Sequence, residues 1–160
     1  MKRTPLSGTG AILYGTLAVG TIDAIDAIVV FGLRGATPVR IFQGIARGLL
    51  GPAASRGGLP AAFLGLLIHF FVAFGIVTTY YLASRKLRIL RTHPVVCGAV
   101  FGVLAYFFMN RVVIPLSAIG GGGAFSLPLF INGILIHAFG VGIPTALIVS
   151  RASDASNSRD

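Results

Sequence analysis

The sequence predicts an all-α membrane protein with four transmembrane helices. Hydrophobic residues make up 55% of the 160-residue chain and charged residues only 11%, whereas soluble domains have about 25% charged residues. This number of charged residues is too small to cover a water-facing surface. Lipid is therefore the expected solvent for most of the chain. Four apolar segments can each cross about 30 Å of hydrocarbon at about 1.5 Å per residue: 10–33, 59–84, 94–118 and 125–150. We expect one membrane domain over residues 1–150 and a disordered polar tail over 151–160.

The first segment resembles a secretory signal because Lys2 and Arg3 precede an apolar run. The run is longer than the apolar part of a signal peptide, contains two aspartates and lacks a small-residue cleavage site. We therefore expect it to be retained as the first transmembrane helix.

The connection that follows this helix is predicted to contain an amphipathic helix over residues 38–54. Arg40, Gln43 and Arg47 recur at helical spacing, with mainly apolar residues between them. Such a helix lies in the membrane interface or re-enters the bundle. Its arginines are expected to bind lipid phosphates; the alternative is a helix that gates a substrate path or docks a partner.

Basic residues in the connections predict the orientation. One side carries eight of them: Lys2, Arg3, Arg85, Lys86, Arg88, Arg91, Arg151 and Arg159. The other side carries four, all in the first connection: Arg34, Arg40, Arg47 and Arg56. The positive-inside rule then places both termini in the cytoplasm, and the short loops favour a bacterial inner membrane. Since the basic residues flank apolar runs, they are expected to contact lipid headgroups rather than nucleic acid.

Two pairs of matching segments indicate an internal repeat. The run Gly65-Leu-Leu-Ile-His69-Phe-Phe recurs as Gly133-Ile-Leu-Ile-His137-Ala-Phe, and a segment ending at Asp23 aligns with one ending at Asn110. The histidines are 68 residues apart and the Asp/Asn pair 87 residues apart. The difference between these two separations is close to the length of the amphipathic segment, as if that segment were inserted into the first half only. Two parallel two-helix repeats are therefore expected; chance similarity between apolar segments is the alternative.

Six polar residues inside the apolar segments form the candidate functional cluster: Asp23, Asp26, His69, Asn110, Arg111 and His137. A charged residue at the centre of a membrane helix costs about 2.5–3.5 kcal/mol on insertion scales, so such residues face the bundle interior or water. Asp23 and Asp26 lie one turn apart on one helix face. Arg111 is the expected counter-ion for one of them, and a proton- or ion-carrying carboxylate is the alternative role.

The two histidines admit three interpretations. They pack as hydrogen-bonded side chains, they belong to a proton or solute path, or they ligate one b-type haem from facing helices. Small residues one turn away, including Gly65 and Gly133, would let helices approach closely or leave a slot for a flat ligand. Another metal at these histidines is a further alternative, and no cofactor is the preferred interpretation.

Other motifs add little chemistry. Gly98 and Gly102 form a GxxxG pair that favours packing inside the bundle over dimerisation. Cys97 is the single cysteine, so neither an intrachain disulfide nor a thiolate metal cluster can form. No arrangement typical of nucleophilic catalysis stands out, and a non-enzymatic protein is expected.

The chain has an aspartate in its first helix, the run Arg40-Ile-Phe-Gln-Gly-Ile-Ala-Arg47-Gly-Leu-Leu-Gly51, His69 before Tyr80-Tyr81, and the run Val112-Val-Ile-Pro115-Leu-Ser117. Together these features resemble a family of small uncharacterised bacterial four-helix inner-membrane proteins. The resemblance covers nearly the whole chain. It implies the fold and the location but no activity.

Small size and short loops favour an accessory or scaffold subunit of a larger membrane complex. A small proton-, ion- or solute-conducting transporter and a bis-histidine haem electron-transfer protein are the alternatives.

Overall fold

The computed structural model describes residues 6–120 and 124–152. Four helices are long and apolar enough to cross a membrane: α1 (Gly8–Gly32), α3 (Gly58–Lys86), α5 (Pro94–Leu116) and α6 (Leu127–Val149). The predicted all-α membrane fold is confirmed. The shorter helices are α2 (Pro38–Leu50), which runs into a 3₁₀ segment (Gly51–Arg56), and the single turn α4 (Ile89–Thr92). Three of the basic residues used to predict the orientation lie outside the described residues: Lys2, Arg3 and Arg159. Most of the expected tail lies outside them too.

Local sequence signals define α2. The hydroxyl of Thr37 accepts a hydrogen bond from the Arg40 backbone N–H at 3.3 Å, and proline occupies the first helical position. Both features are typical of helix starts. The helix ends at Gly51, whose φ of +58° suits glycine.

The amphipathic helix α2 packs against α3 rather than lying free on the surface. A Cβ on Gly65 would collide with the backbone of Phe42, so the two backbones lie in direct contact at this point. Gln43 is buried and donates from Nε2 to the Gly58 carbonyl at 2.9 Å, while Arg40 and Arg47 are exposed. The position of α2 relative to the membrane interface stays a prediction.

Helices α5 and α6 approach each other through glycine. A Cβ on Gly102 would collide with the His137 carbonyl, and Gly98 faces the backbone of Gly142 at similarly close range. The GxxxG pair of α5 therefore packs within the chain, as expected for small-residue motifs in membranes.

Both α5 and α6 contain a π-helical segment, Met109–Val113 and Ile136–Gly142 respectively. In each helix the segment ends directly before an Ile-Pro pair, at Pro115 and Pro144. A proline lacks an N–H and its ring clashes with the carbonyl four residues earlier. That carbonyl lies inside the π segment in both helices, so the prolines account for the widened turn.

One end of the bundle is closed by contacts between distant parts of the chain. Leu6 forms a parallel bridge with Ala152, and the Arg91 guanidinium donates to the Ala152 carbonyl at 2.9 Å. Nearby, the buried Tyr80 hydroxyl donates to the Leu90 carbonyl at 2.8 Å. The first and last described residues therefore lie at the same end as the connection between α3 and α5.

Candidate functional site

A polar cavity of about 230 Å³ lies between the four long helices, away from their ends. Each long helix contributes one polar side chain to its wall: Asp23 from α1, His69 from α3, Asn110 from α5 and His137 from α6. The remaining lining is apolar and includes Ile45 of α2. Four of the six polar residues selected from the sequence thus surround one space. A buried water needs at least about 10–15 Å³, so this space is large enough for several.

The imidazole of His69 is oriented by the backbone of α1. Its Nε2 lies 2.8 Å from the Gly20 carbonyl oxygen, and because a carbonyl only accepts, Nε2 carries the hydrogen. The ring also packs edge-on against Phe42 of α2 and Phe70. The other nitrogen, Nδ1, is therefore left as a hydrogen-bond acceptor.

Nδ1 of His69 faces the carboxylate of Asp23, with Nδ1 and Oδ2 3.9 Å apart. This separation exceeds that of a direct hydrogen bond, and at such distances a water commonly bridges two polar groups. The His69 side chain is 10% exposed and the Asp23 side chain 29% exposed. Asp23 therefore has the more open position on the cavity, and His69 the more enclosed one.

His137 on α6 has a corresponding arrangement. Its Nδ1 lies 2.9 Å from the Gly133 carbonyl one turn earlier, so Nδ1 carries the hydrogen and Nε2 is the acceptor nitrogen. Within the described part of the chain, Nε2 has no hydrogen-bond partner. The ring packs edge-on against Tyr106 of α5. In both cavity histidines one nitrogen is thus held by a backbone carbonyl, and the other is left as a hydrogen-bond acceptor.

Asn110 lies in the π segment of α5. Its Nδ2 donates to the Tyr106 carbonyl at 2.9 Å, which leaves the side-chain oxygen as an acceptor. The π segments therefore carry two of the four polar cavity residues, Asn110 and His137. Single-turn π segments occur frequently at functional sites.

Asp26 and Arg111 do not belong to the cavity wall. The Asp26 carboxylate accepts a hydrogen bond from Asn132 Nδ2 at 2.8 Å, which joins α1 to α6. Arg111 is exposed, and over residues 6–120 and 124–152 it forms no ion pair with either aspartate. The predicted aspartate–Arg111 pair is therefore wrong: the described partner of Asp26 is Asn132 of α6, and Arg111 is exposed.

Asn132 was missed by the sequence reasoning. The signal was available, because an amide within an apolar run needs a hydrogen-bond partner as much as Asn110 does.

The six basic residues expected to face lipid or partners occupy two ends of the molecule. Arg40 and Arg47 are exposed on α2, whereas Arg85, Lys86 and Arg88 are exposed near α4. Arg91 is half-buried and donates to the Ala152 carbonyl, so it also holds the chain together. Binding of lipid headgroups by these residues stays a prediction.

The surroundings of the histidines bear on the haem alternative. The slot predicted beside Gly65 is filled by the α2 backbone at Phe42, and the one beside Gly133 is filled by the Tyr106 ring. In addition, His69 would have to release the Gly20 carbonyl to present Nε2 to an iron. The described residues contain no group of three or more His, Cys, Asp or Glu arranged to hold a metal ion. A haem ligand stays a prediction, and a visible absorption spectrum of the purified protein tests it.

Comparison of the chain with models of protein families, with curated proteins and with solved structures found no match. The family resemblance drawn from the sequence therefore stays a prediction. The geometry of the cavity is the basis for a functional proposal.

Proposed function

We propose that this multi-pass membrane protein conducts protons across the bilayer through the polar cavity. The observation that carries the proposal is the pair formed by Asp23 and His69, two ionisable side chains facing each other across 3.9 Å in a cavity enclosed by apolar helices. Ionisable residues inside membrane bundles commonly mark proton relays and ion pathways.

The anchoring of His69 supports a defined proton transfer. A proton entering the cavity binds Nδ1, while Nε2 keeps its hydrogen bond to the Gly20 carbonyl. The Asp23 carboxylate then balances the charge of the imidazolium. Transfer of the proton to a water breaks one N–H bond and forms one O–H bond, so the step needs no redox partner. His137 and Asn110 supply further acceptors on the same cavity wall.

The size of the cavity favours protons over larger solutes. Pockets for small-molecule ligands commonly measure about 300–1,000 Å³, and this one measures about 230 Å³. A chain of waters fits such a space more readily than an organic substrate does.

The proposal predicts proton flux that depends on the pair. Purified protein in liposomes containing a pH-sensitive dye is expected to collapse a pH gradient once valinomycin and K⁺ compensate the charge. Asp23→Asn and His69→Gln are expected to reduce the rate to that of protein-free liposomes, because each removes one protonatable group. The glutamine of the second variant can still donate to the Gly20 carbonyl.

Matched controls use the same residue types outside the cavity. Asp26→Asn removes an acid one turn away that hydrogen-bonds Asn132 rather than lining the cavity. His93→Gln changes an exposed histidine beside α4. Both are expected to keep most of the flux. Equal flux in Asp23→Asn and Asp26→Asn would refute the assignment of the pair.

The outer face of α5 supports a second candidate, an accessory subunit of a larger membrane complex. Val96, Val100, Leu104 and Phe108 recur every four residues along that face, and all are exposed. Only 11% of the α5 span is buried, against 28–33% in the other three long helices. The same liposome experiment separates the candidates. Folded protein that conducts no protons alone would favour the subunit role.

A further inference from the structure

A second and larger cavity of about 750 Å³ lies beside the polar one. This apolar groove is bounded by α2 and by parts of α1, α3 and α5. Four side chains line both spaces: Ile45, Val72, Met109 and Ile114. The groove runs along α2 from Arg40, near the start of the helix, to Gly48, near its end, where Ser117 approaches it. Its volume lies within the range of about 300–1,000 Å³ that is common for ligand pockets.

The lining of the groove is apolar except near its two ends. Among the described residues, its only charged or hydrogen-bonding side chains are Arg40 near one end and Ser117 near the other. The Ser117 hydroxyl donates to the Ile114 carbonyl at 2.7 Å and accepts from the Ile119 N–H at 3.2 Å, so its bonding capacity is used. Over the described ranges, the Arg40 guanidinium has no hydrogen-bond or ion-pair partner. Within the described residues, the apolar groove thus has one unpaired cation, at the end formed by the start of α2.

Glycines give the groove its width on the α2 side. A Cβ on Gly44 would meet no heavy atom within 4 Å, and one on Gly48 would only touch Ser117 at ordinary contact distance. Gly44, Ile45 and Gly48 all line the groove. The wall of α2 is therefore flat at this point, as a slot for an unbranched hydrocarbon chain requires.

The charge at the rim selects the headgroup. A guanidinium presents a planar fork of donors that matches phosphate oxygens and binds them through charge-assisted hydrogen bonds. The chain as a whole has a net charge of +9, which favours anionic over zwitterionic lipids. Burial of an acyl chain in the groove removes its methylenes from water, but the bilayer offers the same burial. Discrimination between lipids therefore depends on Arg40 and on the fit of the chain to the groove.

We propose that the groove is a binding site for one anionic diacyl phospholipid, with an acyl chain along α2 and its phosphate on Arg40. The acyl chain would then lie against Ile45, Val72, Met109 and Ile114, on the opposite side of these residues from the polar cavity. This inference does not depend on proton conduction.

Native mass spectrometry of the full chain in detergent tests the site. The protein is titrated with phosphatidylglycerol and with phosphatidylcholine carrying identical acyl chains. A one-to-one complex is expected to form with phosphatidylglycerol at several-fold lower lipid concentration. Equal binding of the two lipids by the wild-type chain would overturn the proposal.

Two variants separate the headgroup from the chain. Arg40→Gln is expected to abolish the preference for phosphatidylglycerol, while Gly44→Phe is expected to abolish the one-to-one complex by filling the groove. The controls are Arg47→Gln, an exposed arginine of α2 that does not line the groove, and Gly75→Phe, where a Cβ also meets nothing within 4 Å. Both controls are expected to bind as the wild type does. Unchanged binding by Arg40→Gln would overturn the phosphate contact even if Gly44→Phe failed to fold.

Discussion

Gly65 and Gly102 set how closely the helices approach one another. A Cβ on Gly65 would strike the Phe42 carbonyl of α2, and one on Gly102 would strike the His137 carbonyl of α6. In both cases the obstructing atoms belong to backbone, which cannot move aside without moving its helix. Each contact also lies next to a cavity histidine: Gly65 is one turn from His69, and Gly102 touches His137 itself. These two glycines therefore position the histidines as well as the helices.

Gly65→Val is expected to destabilise the fold by about 1–3 kcal/mol or more, the usual cost of overpacking. Reversible unfolding in mixed micelles measures the change. Gly75→Val is the matched control on the same helix, because its Cβ would meet nothing within 4 Å. The control is expected to change the stability by less than about 1 kcal/mol, since only helix propensity changes. Similar losses in the two variants would contradict the packing argument.

The sequence was informative about which residues turn inward and less so about their partners. Lipid offers polar side chains no hydrogen bonds, so Asp23, His69, Asn110 and His137 could be expected inside the bundle. Pairing depends on the rotation of each helix about its axis, which apolar segments specify weakly. For that reason the sequence could not identify Asn132, rather than Arg111, as the partner of Asp26.

At the level of helices, the two halves of the molecule differ in structure because only the first half contains the amphipathic helix α2. Helix α2 covers the Gly65 face of α3, whereas the equivalent face of α6 at Gly133 is covered by Tyr106 of α5. The π segments occur in α5 and α6, whereas α1 and α3 are continuous α-helices. The residues matched in the proposed repeat nevertheless meet at one cavity. Duplication of a two-helix unit stays a prediction, and this meeting supports it.

The boundaries of the long helices followed from their apolar composition, because each must cross the hydrocarbon. The single turn α4 and both π segments could not be predicted from apolar composition, because they depend on a hydrogen-bond register that hydropathy does not encode. In retrospect the Ile-Pro pairs at Pro115 and Pro144 were the available signal.

The hydrogen bond between Asp26 and Asn132 is expected to contribute to the pairing of α1 with α6. A double-mutant cycle with Asp26→Ala and Asn132→Ala measures it in the same unfolding assay. The expected coupling free energy is about 0.5–2 kcal/mol, as for polar pairs in other membrane bundles. A cycle of Asp23→Ala with Asn132→Ala serves as control and should give a smaller value. A coupling of zero for Asp26 would mean that the bond adds nothing to the pairing.

At the scale of the whole molecule, the connections between the helices predict that its two ends face opposite sides of the membrane. Arg88 near α4 lies at the end that contains Leu6 and Ala152, whereas Ser55 lies in the 3₁₀ segment before α3. These two positions are separated by the α3 span, and the charge bias predicts that the end with Arg88 faces the cytoplasm.

In a Cys97→Ser background, a membrane-impermeant thiol reagent applied to right-side-out vesicles is expected to label Ser55→Cys. Arg88→Cys should be labelled only after the vesicles are inverted or opened. Both positions are exposed, so a failure to react reports sidedness rather than burial. Labelling of both from the same face would contradict the arrangement, and the reverse pattern would contradict the orientation.

The thin wall between the cavity and the groove also has an electrostatic consequence. Single side chains such as Ile45 and Met109 separate the two spaces, so the surroundings of the cavity have a low dielectric constant. Opposite unit charges about 4 Å apart attract by about 1 kcal/mol in water and by about 4 kcal/mol at the effective dielectric of a protein surface. Asp23 and His69 therefore respond to each other far more strongly than they would in solvent. Replacement of either side chain by a neutral one therefore leaves the other in apolar surroundings without the group that faces it.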